Sequence, residues 1–304
     1  RGAPRRNGGA SMNGIVKSLA LTSLFPETVL SPDALERTLR WLKQNRAFGM
    51  VEFYTAPGED GRIARVLAEL GFESVFIAVV PLKAAGFSLC AADEGERARA
   101  VAVLKSCIDR AGAAGARRIM INSGFIPDRA ADIEKSCDSY VRSVLEAARY
   151  IEERKIDLLI ELEPGDSRVQ SRQLLGPTDR VLETTRRIRE QTDRYVLAMD
   201  VAHLREESEP VMDALRATKP FCDHIHLCNC VMDDPAHPLY GDKHVDFDQE
   251  GAAFAYGDFE RMFGEIKRLY AGEGFIATLE ITCREADNFA WFDRVAARCA
   301  WLFQ

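Results

Sequence analysis

Eight short runs rich in β-branched residues alternate with eight longer amphipathic stretches along 304 residues, and this alternation predicts a parallel (β/α)8 TIM barrel of a single domain. The length agrees, because such barrels take roughly 250 residues plus insertions. An open doubly wound sheet would instead place a Gly-rich phosphate loop after the first strand. Residues 21–26 read L-T-S-L-F-P, which is no such loop.

The expected elements follow in order. Strand 14–21 leads to a helix over 31–45, opened by S-P-D with Pro32 in its first turn. Strand 49–54 precedes a helix over 59–70, and strand 74–80 precedes one over 93–115, closed by Gly115. Strands 118–122, 157–163 and 195–200 lead to helices 129–154, 177–192 and 207–217. Strands 224–227 and 275–281, with helices 256–271 and 286–302, complete the set. Residues 14–304 are expected to form one catalytic domain, because no linker interrupts them. Residues 1–13 are basic, Gly-rich and poor in apolar side chains, and are expected to be a disordered leader or an expression remnant. The longest stretch without an expected element is 228–255, and loops of that length in compact domains are usually functional or disordered.

The chain carries 40 basic and 47 acidic side chains, a net charge of −7, which disfavours a nucleic-acid partner held through clustered Lys and Arg. No apolar run approaches the ~20 residues that span a bilayer, so the protein reads as soluble with no membrane partner. Eight cysteines without framework spacing fit buried thiols in a reducing, cytoplasmic setting.

All five histidines, His203, His224, His226, His237 and His244, fall in the region that also holds Asp200, Asp223, Asp233, Asp234, Asp242 and Asp246. In a barrel the active site lies at the C-terminal strand ends, and four successive strands end in polar residues there. They read I-E-L-E-P, M-D-V-A-H, H-I-H-L and L-E-I. Side chains two apart on a strand share a face, so Glu161 pairs with Glu163 and His224 with His226, one member of each pair lying deeper. Glu161, Asp200, His226 and Glu280 are expected to converge on one metal, with the choice between Glu161 and Glu163 open. Three carboxylates and an imidazole favour Mn²⁺, with Mg²⁺, Co²⁺ or Zn²⁺ as alternatives, over a thiolate-type centre. Against this stands a polar core layer in which such carboxylates merely pair with Arg or Lys.

The runs D-L-L-I-E-L-E-P-G, D-x-x-H at Asp200 and His203, H-I-H-L-C-N-C followed by H-P-L-Y-G-D-K-H, and the late T-L-E-I resemble the xylose isomerase-like superfamily of sugar isomerases/epimerases and apurinic endonucleases. The resemblance spans residues 14–302 in element order, with its specific motifs in the second half. It implies a metal at the matching positions Glu161, Asp200, His226 and Glu280. Glu161 and Glu280 would then be the catalytic acid/base pair of a ketose epimerase, and His203 would bind a substrate hydroxyl. Such a metal stabilises an enediolate, and the proton returns to the opposite face or the adjacent carbon. Asp242 and His244 match the D-x-H that holds an additional zinc in the endonucleases, or else they order a lid.

The segment after strand five is L-E-P-G-D-S-R where ketose 3-epimerases have N-R-F-E, and the early strands end without the histidines of a trinuclear centre. Glu163, Glu52 and Arg168 are candidate substrate contacts. Glu52 is equally readable as a buried partner for an arginine, and Phe25, Phe87 and Phe125 either wall a sugar or pack ordinarily. The expected function is a metal-dependent sugar isomerase/epimerase acting on a small ketose or related carbohydrate. The alternative is a hydro-lyase on a sugar-derived or cyclitol ketone, and an endonuclease-like hydrolase stands behind both. A homo-oligomer is expected from the same resemblance.

Overall fold

The computed structural model describes residues 14–45, 48–86 and 88–303, so the leader expected over 1–13 and the position of Phe87 lie outside the described residues. Eight parallel strands close a barrel: β1 (Ile15–Ala20), β2 (Met50–Phe53), β3 (Glu73–Ile77), β4 (Arg118–Ile121), β5 (Leu159–Leu162), β6 (Tyr195–Asp200), β7 (Cys222–Leu227) and β10 (Phe275–Leu279). β10 pairs with both β7 and β1, which seals the cylinder. Strands covered on both faces read as nearly continuous apolar runs, and most of their residues are buried.

Among the described residues most buried apolar side chains gather in two cores, with a small third cluster of Ala202, Cys228 and Cys230. Between strands and helices lies the larger one, and the helix Ile133–Arg154 shows how it forms, burying Cys137, Tyr140, Val141, Val144, Ala147, Ala148 and Ile151 along one stripe. Inside the barrel, Met50, Val75, Ile77, Met120, Ala198 and Ile276 make a second cluster. The remaining inward positions of β2, β4, β5, β7 and β10 carry Glu52, Arg118, Glu161, His224, His226 and Thr278.

Three local departures from the expected elements matter. Strand 74–80 ends at Ile77, and the chain turns into the helix Val79–Ala85, whose first turn accommodates Pro81. The helix expected over 207–217 begins later, as Val211–Thr218, and a short helix that was not expected, Val201–Glu206, precedes it. That short helix starts directly at the end of β6 because the Asp200 carboxylate accepts the backbone N–H groups of Ala202 at 2.7 Å and His203 at 3.0 Å as a cap. Finally, 228–255 is not structureless. It contains the antiparallel pair β8 (Asn229–Val231) and β9 (Gly241–Val245), set between β7 and the helix Tyr256–Leu269.

Candidate metal centre at the barrel mouth

Four neighbouring strands, β5, β6, β7 and β10, deliver Glu163, Asp200, His226 and Glu280 to one point. Asp200 is the last residue of β6 and stands in register with His226, which is in register with Thr278 of β10. Glu163 and Glu280 lie one residue past their strands, yet both are still tethered to the barrel. The N–H of Glu163 donates to the Ile121 carbonyl and that of Glu280 to Leu227, each at 3.1 Å. One ligand atom from each of the four lies within 4.8 Å of the others.

The contacts centre on His226. Its Nδ1 lies 2.6 Å from Glu280 Oε2, 2.8 Å from Glu163 Oε1 and 3.9 Å from Asp200 Oδ2. A single Nδ1 proton can serve one acceptor well, and the aligned hydrogen bond goes to Glu280 while Glu163 Oε1 is left buried without one. Burial and the neighbouring charge of Glu280 push the Glu163 carboxyl up. Burial opposes ionisation of Glu280 too, but His244 and His226 overcome it and hold Glu280 well below the usual range. For His226, burial works against the proton while the carboxylates of Glu52 and Glu163 draw it in, so its pKa rises well above 6.5. Three carboxylates crowding one imidazole, one of them without a donor, are a donor set that fits a hard divalent cation.

Glu161 belongs to a different layer. Its side chain is fully buried, 2.6 Å from Arg118 and 3.1 Å from Nδ1 of His224. Arg118 also grips Asp223 at 2.7 and 2.9 Å. The other His224 nitrogen reaches the Thr278 hydroxyl at 2.7 Å, and that hydroxyl donates to Glu52 at 2.6 Å. Burial raises the pKa of Glu161, but His224 and Arg118 reverse the effect and bring it down to about 2. Of the two β5 glutamates, Glu163 is the one that reaches Asp200, His226 and Glu280, because Glu161, two residues earlier on the same face, lies one layer deeper in a ready-made ion pair. Glu52 is likewise no pocket wall. It is 1 % exposed and sits against two histidines rather than an arginine.

A second cluster adjoins the first. His203, Glu206 and Asp242 present ligand atoms to one another, as do Asp200, His203 and His244. His203 Nδ1 lies 3.1 Å from Glu206, and His244 bridges Asp242 at 3.0 Å and Glu280 at 3.2 Å. Burial opposes protonation of His203 and His244, yet the acidic neighbours raise both pKa values well above 6.5. The β8–β9 pair carries Asp242 and His244 here, and Ser171 of the loop after β5 fastens Asp242 with a 2.6 Å hydrogen bond.

Other expectations fare differently. Arg168 is exposed and its side chain takes no part in the hydrogen bonds of either cluster; its backbone N–H, with those of Val169, Gln170 and Ser171, caps the buried Asp166 carboxylate. Phe25 is fully buried among Trp41, Phe289 and Phe292, so it is core, whereas Phe125 is exposed beside Lys83, Asn122 and Gln173. His237 stays apart, its ring accepting the Leu239 N–H. Residues outside the sequence reading also touch the centre. Ser23 donates to Glu280 at 3.0 Å, and the Cys228 thiol donates to Asp200 at 2.8 and 2.9 Å. Glu206 was signalled by the H-x-x-E spacing of one helical turn, legible once 201–206 is known to be helical.

A family model described as the xylose isomerase-like TIM barrel matches residues 39–303. The chain belongs to this family. Solved structures of the same fold include a D-tagatose 3-epimerase-like protein, 14% identical with a TM-score of 0.68, covering 94% of this chain and 97% of that one. An AP endonuclease of family 2 from Brucella melitensis is 17% identical with a TM-score of 0.65, covering 93% and 99%. The IOLI protein with a bound zinc atom is 12% identical with a TM-score of 0.66, covering 94% and 97%. At these identities the likeness to this xylose isomerase-like barrel is one of fold. No curated protein matches the chain by sequence. Among the described residues no helix is long and apolar enough to cross a membrane.

Proposed function

We propose that the protein is a metal-dependent sugar isomerase or epimerase, with Glu163, Asp200, His226 and Glu280 holding one divalent cation, manganese by preference. The observation that carries this reading is geometric: one ligand atom each from Glu163, Asp200, His226 and Glu280, delivered by four neighbouring strands, lies within 4.8 Å of the others at the barrel mouth. The two glutamates flank His226 at 2.8 and 2.6 Å and are placed to act as acid and base at one centre. The bound cation supplies Lewis-acid stabilisation of the negative charge that develops on a substrate oxygen.

The chain's own residues do the rest. Glu280 is the base that takes the proton from the carbon beside the carbonyl, and Glu163 is the acid that delivers one to the opposite face or to the adjacent carbon. Asp200 is fixed by three donors and serves as a ligand only. His203, buried beside the mouth, orients a substrate hydroxyl. The 3-epimerase neighbours add weight to the ketose side of this reading.

The test is to incubate manganese-loaded protein with a panel of ketoses in deuterium oxide. One deuterium appearing at the carbon next to the carbonyl, with the epimer or aldose accumulating, supports the proposal. Loss of water to give a deoxy-dicarbonyl moves it to the hydro-lyase class, and no exchange with any ketose overturns it. A second reading, phosphoester hydrolysis with two metals, rests on the adjoining group of His203, Glu206, Asp242 and His244. It predicts at least two tightly held zinc ions per chain and cleavage of abasic DNA.

A further inference from the structure

We propose that Glu52 is a positioning residue for the metal centre: from β2, across the barrel, it holds the His226 ring with Nδ1 turned to the mouth and Nε2 turned inward. The proposal rests on the metal reading above. Glu52 Oε1 lies 3.1 Å from His226 Nε2, on the side of the ring opposite the three mouth carboxylates. A neutral imidazole that ligates through Nδ1 carries its proton on Nε2, and a buried N–H needs an acceptor. In this structure Nε2 has no aligned hydrogen bond, and Glu52 is the carboxylate within reach.

The carboxylate is itself braced. Thr278 donates to the same Oε1 at 2.6 Å, and His224 Nε2 approaches it at 3.1 Å. His224 is in turn held by Glu161, Glu161 by Arg118, and Arg118 by Asp223. This column runs through a guanidinium that does not deprotonate, so it serves as a strut rather than a proton path. Glu52, His224 and His226 are close enough to ligate an ion of their own. Both His224 nitrogens are already engaged by Glu161 and Thr278, which argues for a brace instead. With Glu52 1 % exposed, no substrate reaches it.

The experiment compares manganese and zinc affinity, by competition with a chromophoric chelator, in the full chain and in Glu52→Gln, Glu52→Asp and Glu161→Gln. Glu52→Gln is expected to weaken binding by about 10- to 100-fold, as loss of an outer partner of a metal-bound histidine does. Glu52→Asp should recover part of the loss. Glu161→Gln, which braces Glu52 only through His224 and does not touch His226, should weaken binding less than Glu52→Gln does. Wild-type affinity in Glu52→Gln, or an equal loss in Glu161→Gln, overturns the proposal.

Should the buried variants not fold, long-range proton–nitrogen NMR of the zinc-loaded wild-type chain decides. Zinc on Nδ1 with an exchange-protected proton on Nε2 of His226 is expected, and zinc on Nε2 overturns the assignment. A wild-type chain that binds neither metal overturns the metal reading together with this one, whereas binding indifferent to Glu52 overturns this one alone.

Discussion

Two layers of the barrel interior share the strands β5 and β7, each of which gives a glutamate or a histidine to both. In the lower layer, Glu52, Glu161, His224 and Arg118 each touch an opposite charge, and Asp223 closes the end. In the upper layer, Glu163, Asp200, His226 and Glu280 put three acids around one imidazole, and a buried glutamate oxygen goes without a hydrogen bond. One step of two residues along β5 or β7 separates the layers. The difference teaches that a strand carboxylate cannot be assigned by type or by face alone; whether a counter-charge already waits for it decides between structure and chemistry.

The largest expected effect is on metal. His226→Ala should remove nearly all bound metal, read as metal per chain by elemental analysis. Next, Glu280→Gln should cut ketose proton exchange by about 10² to 10⁴-fold while the protein stays folded. Full exchange in that variant removes Glu280 from the chemistry.

Striking the lower layer should do the reverse. Arg118→Met leaves Glu161 buried beside His224 with one counter-charge fewer and should cost about 3–5 kcal/mol in denaturant unfolding, as broken buried pairs do. Glu163→Gln, by contrast, relieves a crowded acid and should leave apo stability equal or higher. If the two variants lose similar stability, the layers are not distinct.

Acidity separates the layers more gently. Glu52 and Glu161 are both held at about 2 against an ordinary 4.5, burial opposing and the histidines prevailing. Their contribution is full above pH 4.5 and is lost as pH falls toward 2, so acid unfolding should steepen in that window. In the upper layer the His226 pKa is raised, so its contribution to the metal-free fold is full below about pH 6.5 and fades as pH rises through the raised value. Metal must displace that proton, so added manganese should raise the melting temperature more at pH 8 than at pH 6. The smallest effect is expected from Ser171→Ala, which removes the hydroxyl on Asp242 and should cost about 1 kcal/mol.

The barrel itself was legible because alternation of element types is a chain-local property. So was the convergence of β5, β6, β7 and β10, since polar residues end those strands in succession. Depth was not legible. Choosing Glu163 over Glu161 requires knowing that Arg118, 43 residues earlier, meets Glu161, a contact no spacing reveals. The place of Asp242 and His244 was hidden for a similar reason, as the β8–β9 pair is three and five residues long and carries little strand signal. Cys228 carries no sequence signal of its contact, because the partner of its thiol, Asp200, comes from another strand.

The β8–β9 pair forms its ladder with itself and adds no strand to the cylinder. Two histidine-cluster residues, Asp242 and His244, therefore ride on a module whose excision would leave all eight barrel pairings intact. Selection can rewrite that module, lengthening it or exchanging its tip, without renegotiating the fold beneath. One cylinder can in this way be refitted for different cargo while the machinery below it, His226 on its strut, stays in place.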